Sequence, residues 1–177
     1  MTTPGIESQT IGIIGLGRIG GRIAEMTQVF RPKETIYYST HRHEDKEKEL
    51  GLRYGQMNEV LKESDVVFLC VPDDVDKPFF AQEQFAQMRQ GSLLVSFMYG
   101  GIIDPDALYE ALKSGRIRAV SDYPMDERFN AFPLATWYSF NASNAFNTPA
   151  MLRDTSDRAT QCLLNLLATG KDKDKAI

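Results

Sequence analysis

Short apolar runs alternate with segments of mixed polarity along almost the whole chain. The runs are rich in β-branched and aromatic residues and end at glycine, proline, serine or aspartate, which is typical of buried strands. The run 65–71 is apolar on both faces, as a central strand of a parallel sheet should be. Strands are predicted at 10–14, 35–39, 65–71, 92–97 and 116–121, with weaker candidates at 53–54 and 137–140.

The segments between these strands carry helix signals. Asp104 followed by Pro105 indicates a helix start, because aspartate caps free amides and proline fits the first helical position; Gly115 ends that helix. The apolar side of the first helix repeats at helical spacing through Ile19, Ile23, Met26, Val29 and Phe30. Helices are predicted from about residue 19, at 44–50, 57–62, 79–88 and 104–115, and in a last segment that ends at Gly170.

This alternation predicts an α/β fold, a Rossmann-type doubly wound parallel sheet in a three-layer αβα arrangement. We predict a single domain over 10–170, with an N-terminal tail over 1–9 and a disordered tail over 171–177. Ligands of such sheets bind beyond the carboxyl ends of the strands, where the strand order reverses. Four loops should therefore surround one crevice, and they are 15–20, 39–43, 71–75 and 98–104.

Composition narrows the partners and the compartment. A net charge of −4 argues against nucleic acid or an anionic membrane as a partner. No apolar run approaches membrane-spanning length, and no secretory leader is expected from the N-terminus. Cys70 and Cys162 lie in apolar patterns and are interpreted as small buried residues, which favours a reducing compartment, the cytoplasm. No spacing of cysteine, histidine and carboxylate residues indicates a metal site.

The first strand ends in a glycine-rich turn, Gly15-Leu16-Gly17-Arg18-Ile19-Gly20. In a G-x-G-x-x-G the first glycine makes the bend, the second lets the backbone approach a pyrophosphate, and the third lets helix and strand pack closely. Free amides at the helix start attract phosphates. Three glycines can also mark a simple turn, but their place between a strand and an amphipathic helix favours dinucleotide binding.

The loop after the second strand bears on which dinucleotide binds. An NAD site places an acid about twenty residues after the glycines, where it binds the ribose 2′-hydroxyl. Here Ser39, Thr40 and Arg42 occupy that region and the first acid is Glu44. Hydroxyls with an arginine suit a 2′-phosphate, so we expect NADP, with NAD as the alternative. The other interpretation is a solvated basic loop.

Several motifs, taken together, resemble the nucleotide-binding domain of D-isomer-specific 2-hydroxyacid dehydrogenases. They are Gly15 to Gly20, Ser64-Asp65-Val66-Val67 leading into Val71-Pro72, Gly100-Gly101-Ile102-Ile103-Asp104 with Asp106-Ala107-Leu108 and Ala111-Leu112, Asp122, and Thr148-Pro149. The resemblance covers about residues 10 to 170, and segment 37–64 is similar to glyoxylate/hydroxypyruvate reductases. It implies a homodimer formed by nucleotide domains and a nicotinamide contact from Asp122. The candidate cofactor-binding residues are Gly15, Gly17, Arg18, Ile19, Gly20, Ser39, Thr40, Arg42, Val71, Pro72, Met98 and Asp122.

The chain departs from the family pattern at positions that carry the chemistry. Tyr99 stands where the family has its substrate-binding arginine, and Ala150 stands where it has the acid/base histidine. The family's catalytic glutamate matches Glu127. We expect the family's substrate domain, built mainly from a long segment before the nucleotide domain, to be missing, since nine residues precede the first strand. Tyrosine supplies neither a fixed charge nor a two-pronged carboxylate clamp, so standard 2-hydroxyacid chemistry is not expected from this chain alone.

Three hypotheses follow. The first is an NADP-dependent oxidoreductase of altered specificity on a small carbonyl substrate, with Tyr99 or Glu127 as proton donor. The second is a noncatalytic dinucleotide-binding or regulatory module, and the third is one half of a split dehydrogenase. An aromatic group near the C-terminal third is expected either at a dimer interface or over the sheet; it contains Phe129, Phe132, Trp137, Tyr138 and Phe140.

Overall fold

The computed structural model describes residues 4–72, 78–97, 101–139 and 148–170. The chain divides into two compact units, Met1–Ala142 and Ser143–Ile177. The predicted site residues Met98 and Tyr99, together with Phe140 and the predicted tail 171–177, lie outside the described residues.

The first unit is built on one parallel sheet of seven strands within the described residues. The sheet order is β3-β2-β1-β4-β5-β6-β7, and every neighbouring pair is parallel. The strands are β1 (Thr10–Ile14), β2 (Glu34–Tyr38), β3 (Arg53–Tyr54), β4 (Val66–Leu69), β5 (Leu93–Ser96), β6 (Arg118–Ser121) and β7 (Trp137–Ser139). The chain runs outward from β1 to β3 and then crosses back to β4, so the strand order reverses between β1 and β4. This confirms the predicted doubly wound fold, and both weak strand candidates form its edges.

Helices cover both faces of this sheet. In the first unit they are α1 (Arg18–Gln28), α2 (Glu44–Leu50), α3 (Met57–Glu63), α4 (Gln82–Gln87) and α5 (Pro105–Lys113), with short 3-10 helices at Ile6–Ser8 and Glu127–Ala131. Alternate side chains of β1 enter different cores: Ile11 and Ile13 pack with Ala24 of α1, whereas Ile14 packs with residues of α3, α4 and α5. The period of two along a strand thus produces the three-layer arrangement.

Helix α1 packs through its smallest residues. Its buried positions are Gly20, Gly21, Ala24 and Thr27. The apolar side expected from the sequence is largely outside instead: Ile19, Met26, Val29 and Phe30 have 52–78% of their surface exposed. Of the predicted apolar side, Ile23 is half-buried and packs against the core, and the close approach at Gly20 leaves little room for further large side chains at the start of the helix.

Helix α4 is shorter than the predicted 79–88. The residue before it, Phe80, forms a parallel bridge with Ile103, with its N–H donating to the Ile102 carbonyl at 2.9 Å. This pairing keeps the backbone of Phe80 extended, so the helix begins at Gln82. At the other end Arg116 donates from its guanidinium to the carbonyls of Phe85 (2.8 Å), Ala86 and Met88 (3.0 Å).

Helix α5 begins as predicted. The Asp104 carboxylate accepts from the N–H groups of Asp106 (2.9 Å) and Ala107 (3.1 Å), and Pro105 is the first helical residue. These bonds satisfy amides that have no acceptor inside the helix. The cap fixes the loop that ends at Asp104 to the helix.

Most of the predicted aromatic group packs inside the first unit. Phe129 is buried, with ring centroids 5.7 Å from Tyr109, 6.1 Å from Phe132 and 5.1 Å from Trp137. Tyr138 is 39% exposed. The described aromatics therefore pack over the sheet, where they join β7 to α5.

The second unit is described by one helix, α6 (Pro149–Thr169). Thr148 caps it by accepting from the Met151 N–H at 3.2 Å, and Gly170 ends it in the left-handed region at φ 65°. None of the described residues of α6 is buried. The predicted end at Gly170 is confirmed, whereas Cys162 is half-buried rather than buried.

Removing the centre of the aromatic group should destabilise the first unit. Phe129→Ala is expected to lower the free energy of unfolding by about 3–5 kcal/mol, because it leaves a cavity among three rings. Urea unfolding followed by the fluorescence of Trp137, the chain's one tryptophan, measures this directly. Leu134→Ala is the control: Leu134 is 79% exposed, and its loss should change stability by less than about 0.5 kcal/mol. Equal effects of the two substitutions would contradict the assignment of Phe129 to the core.

Candidate cofactor site

The glycine turn joins β1 to α1 at the point where the strand order reverses. Gly15 adopts φ 95°, a conformation that favours glycine, and its N–H donates to the Tyr38 carbonyl at the end of β2 at 2.8 Å. A β-carbon at this position would lie 2.5 Å from the Cys70 carbonyl oxygen, which follows β4. The turn is therefore held between the ends of two strands, and Gly15 is required by both conformation and space.

The other two glycines have opposite surroundings. A β-carbon at Gly20 would overlap the Gly15 carbonyl oxygen and lie 3.2 Å from Ile13 Cγ2, so this glycine lets α1 sit against β1. Gly17 is exposed, and a β-carbon there would meet nothing within 4 Å. Space is thus kept open above Gly17, the position at which the sequence predicts the approach of a pyrophosphate.

The open side of the turn is the N-terminal end of α1. Gly17 is the N-cap, and its carbonyl accepts from the Gly21 N–H at 2.8 Å. The amides of the first helical turn, from Arg18 onward, have no acceptor inside the helix and present partial positive charge. Arg18 and Ile19 are both exposed at this end. The arrangement suits an anionic group.

The wall beside the turn is formed by the end of β4. The Cys70 N–H donates to the Ile14 carbonyl at 2.8 Å, and then Val71 is half-buried and Pro72 exposed. Burial raises the pKa of the Cys70 thiol to about 12, so it stays protonated at neutral pH and is not a nucleophile. Cys70 is structural, as the sequence predicts.

Asp122 lies at the end of β6, on the same carboxyl edge of the sheet. It is buried, and its N–H donates to the Ser96 carbonyl at the end of β5 at 3.0 Å. The strand order places it two and three strands away from β4 and β1. The predicted residues of β1, β4 and β6 therefore share one edge, as the topology requires.

The loop after β2 contains a network that the sequence interpretation missed. The Tyr37 hydroxyl donates to Glu47 Oε1 at 2.6 Å, and Arg42 binds the same carboxylate through Nε (2.9 Å to Oε1) and Nη2 (2.8 Å to Oε2). Ser39 is half-buried and Thr40 exposed. Glu47 belongs to an acidic run at the start of α2, and nothing in its sequence position singles it out from Glu44 or Asp45.

Glu127 is exposed at the start of a 3-10 helix, five residues after Asp122. The Glu127 carboxylate has no hydrogen bond or ion pair with another described residue. Its neighbour Asp126 is held by Arg128, whose Nη2 lies 2.8 Å from both Asp126 Oδ2 and Asp106 Oδ1. The hydrogen bond from Arg128 lowers the pKa of Asp126, which favours its ionised form.

The described residues contain no group of three or more histidine, cysteine, aspartate or glutamate side chains arranged to hold a metal ion.

Among the described helices, none combines the length and the apolar character needed to cross a lipid bilayer.

Comparison with known proteins places this geometry in a family. A profile of the D-isomer specific 2-hydroxyacid dehydrogenase NAD binding domain matches residues 1–151. Glyoxylate reductase of Korarchaeum cryptofilum is 39% identical over 113 residues, which are 63% of this chain and 34% of that protein. Glyoxylate/hydroxypyruvate reductase B of Escherichia coli is 33% identical over 115 residues, 64% of this chain and 36% of that protein. The chain thus spans about a third of the length of these relatives.

Solved structures show the same fold. D-lactate dehydrogenase with NAD⁺ from Lactobacillus jensenii superposes with a TM-score of 0.82 at 22% identity, covering 97% of this chain and 56% of that one. D-lactate dehydrogenase from Aquifex aeolicus, complexed with NAD and lactic acid, gives 0.80 at 25% identity, covering 96% and 56%. The glycine turn, the sheet order and the matched profile agree, and the chain belongs to the D-isomer specific 2-hydroxyacid dehydrogenase family, as its NAD-binding domain.

Proposed function

We propose that this chain binds a nicotinamide dinucleotide, with NADP favoured over NAD, as the cofactor-binding part of an oxidoreductase. The observation that carries the proposal is the open space above Gly17, at the N-terminal end of α1. There a phosphate can approach the backbone without meeting a side chain. When bound, the cofactor supplies or accepts a hydride.

The predicted residues form three groups at the carboxyl ends of the strands, and each group would hold one part of the cofactor. The turn from Gly15 to Gly20, including Arg18 and Ile19, would hold the pyrophosphate. Ser39, Thr40 and Arg42 would receive the 2′-substituted ribose at the end of β2. Val71, Pro72, Met98 and Asp122 would line the nicotinamide end, where Asp122 would accept from the carboxamide.

Arg42 supports NADP because it is the cation next to the predicted ribose position. Its side chain is 56% exposed, so solvent and ligands can reach it. A guanidinium binds phosphate oxygens with directed, charge-assisted hydrogen bonds, whereas it gains little from a neutral 2′-hydroxyl.

The proposed chemistry is altered from the family pattern. Tyr99 and Ala150 replace the arginine and histidine that the resemblance implies, and Ala150 is exposed in the first turn of α6. We propose Glu127 or Tyr99 as the proton donor if the chain acts on a small carbonyl substrate. Because the chain spans about a third of its relatives, the second candidate is the cofactor half of a dehydrogenase whose substrate-binding part is supplied elsewhere.

We also propose a homodimer in the cytoplasm. Ile19, Met26, Val29 and Phe30 form an exposed apolar stripe, and exposed apolar surface of this kind favours association. On the same helix Arg22 and Glu25 form an ion pair at 2.6 Å. Two antiparallel copies of α1 would bring Arg22 of one copy near Glu25 of the other, so this part of the helix is complementary to itself.

The buried, protonated Cys70 thiol suits a reducing compartment.

Cofactor preference is tested by calorimetric titration with NADPH and NADH at one ionic strength. Arg42→Ala should weaken NADPH by about tenfold or more, since a hydrogen bond to a charged group contributes about 1.5–3 kcal/mol, and should leave NADH within about twofold. Lys113→Ala is the control, because it removes a positive charge from the C-terminal end of α5, at the opposite edge of the sheet. Equal losses for both cofactors in Arg42→Ala would remove the 2′-phosphate argument.

The glycine turn is tested by two substitutions with opposite expected defects. Gly17→Val should keep the thermal midpoint of the wild type but abolish binding of both cofactors, because the side chain fills the space reserved for the pyrophosphate. Gly20→Ala should instead lower the thermal midpoint, because its methyl group overlaps the Gly15 carbonyl. Circular dichroism and titration separate the two effects. Full-strength NADPH binding by Gly17→Val would place the cofactor elsewhere.

The dimer is tested by sedimentation velocity. The double substitution Met26→Asp with Phe30→Asp should convert a dimer to a monomer, since charges replace two exposed apolar side chains and the core is untouched. Leu134→Asp is the control, the same kind of change at one other exposed hydrophobic residue, and should remain dimeric. A monomeric wild-type chain, or a dimer that survives the double substitution, would refute this surface.

A further inference from the structure

We infer that Glu47 competes with the 2′-phosphate of NADPH for Arg42 and thereby sets the balance between NADPH and NADH. This inference rests on the proposed function, in which Arg42 is the 2′-phosphate ligand. It adds a specificity-determining residue that is not expected to touch the cofactor and that acts through its charge, by holding Arg42 and by repelling the phosphate.

The Glu47 carboxylate is held in place by the buried hydroxyl of Tyr37. Tyr37 is fully buried in β2, and its hydroxyl accepts from the His43 N–H at 2.8 Å while it donates to Glu47 Oε1 at 2.6 Å. The Glu47 side chain is only 13% exposed, against 56% for Arg42. In this pair the carboxylate is therefore fixed, and the arginine is the partner that can exchange.

Both ends of the carboxylate are used to hold the arginine. Nε and Nη2 of Arg42 form a two-pronged contact with the two oxygens, and the guanidinium lies over the Tyr54 ring, 5.5 Å from its centroid. Nη1 donates to no acceptor among the residues that the structure describes. A phosphate can thus reach the Nη1 end of the guanidinium, whereas it gains the Nε–Nη2 edge, which Glu47 holds, only by displacing that carboxylate.

The competing charge persists at every pH at which the cofactors are stable. Hydrogen bonds from Arg42 and Tyr37 lower the pKa of Glu47 to about 2, so the carboxylate is ionised throughout the neutral range. It cancels the charge of Arg42 and repels a phosphate. The 2′-hydroxyl of NADH carries no charge, so the affinity for NADH does not depend on this repulsion.

The repulsion between Glu47 and the 2′-phosphate outweighs the benefit of Glu47 orienting Arg42, because Arg42 is exposed. A charge of about −2 at about 6 Å from a carboxylate, across water, corresponds to roughly tenfold in affinity. Glu47 also holds the Arg42 side chain in one position, which favours phosphate binding. Because Arg42 is at the surface, this positioning contributes less than the tenfold effect of the repulsion. Removing the charge should therefore tighten NADPH binding instead of loosening it.

The test compares Glu47→Gln with Glu49→Gln, which removes the same charge from the same helix at an exposed residue that makes no contact with Arg42. Glutamine at 47 retains an oxygen that can accept from Tyr37. Titration of the full chain should show NADPH binding about tenfold tighter in Glu47→Gln, with NADH within about twofold and Glu49→Gln close to wild type. The gain should shrink as salt is raised, because exposed charges are screened.

The outcomes separate this inference from the proposed function. If Arg42→Ala weakens NADPH selectively but Glu47→Gln leaves NADPH unchanged or weaker, the competition is refuted and the NADP preference stands. If Arg42→Ala affects both cofactors equally, the preference and the competition fall together. If Glu47→Gln tightens NADPH and NADH alike, Glu47 acts on the shared part of the cofactor, and the inference is wrong.

Discussion

The architecture of this chain depends on the contact between the Gly15 turn and the ends of its two neighbouring strands. The turn is bonded to β2 through the Tyr38 carbonyl and pressed against β4 at the Cys70 carbonyl, with no room for a β-carbon. Together with the close approach of Gly20 to Gly15 and Ile13, that constraint places the start of α1 against the end of β1, next to the residue that follows β4. The fold and the candidate site are consequences of the same contact.

The sequence predicts those parts of the structure that short-range constraints determine. The three glycines, the strand that precedes them and the aspartate-proline start of α5 each combine a local conformational requirement with a neighbour in sequence. The topology follows from the alternation of strands and helices, and the comparisons confirm the fold and the family. The residues that would discriminate NADP from NAD stay predictions, because no contact with a cofactor tests them.

The sequence interpretation failed where the answer depends on what packs against a segment. Hydrophobic spacing identified α1 as amphipathic, but the helix turns its small residues inward, because Gly20 must approach Gly15. The start of α4 was misplaced because Phe80 pairs with Ile103, a contact between residues distant in sequence. The Tyr37–Glu47–Arg42 network was missed for the same reason: three separate elements meet there, and each residue alone is ordinary.

The hydrogen bonds from Arg116 to the end of α4 affect how the first unit unfolds locally. Helix α4 is only six residues long, and a helix of that length has little stability of its own in water. Its last carbonyls are satisfied by a side chain that precedes β6, on the far side of α5 in the sequence. The order of α4 is thus tied to the docking of β6. Backbone amides of α4 and β6 should exchange with solvent in one cooperative opening event, although some thirty residues separate them along the chain.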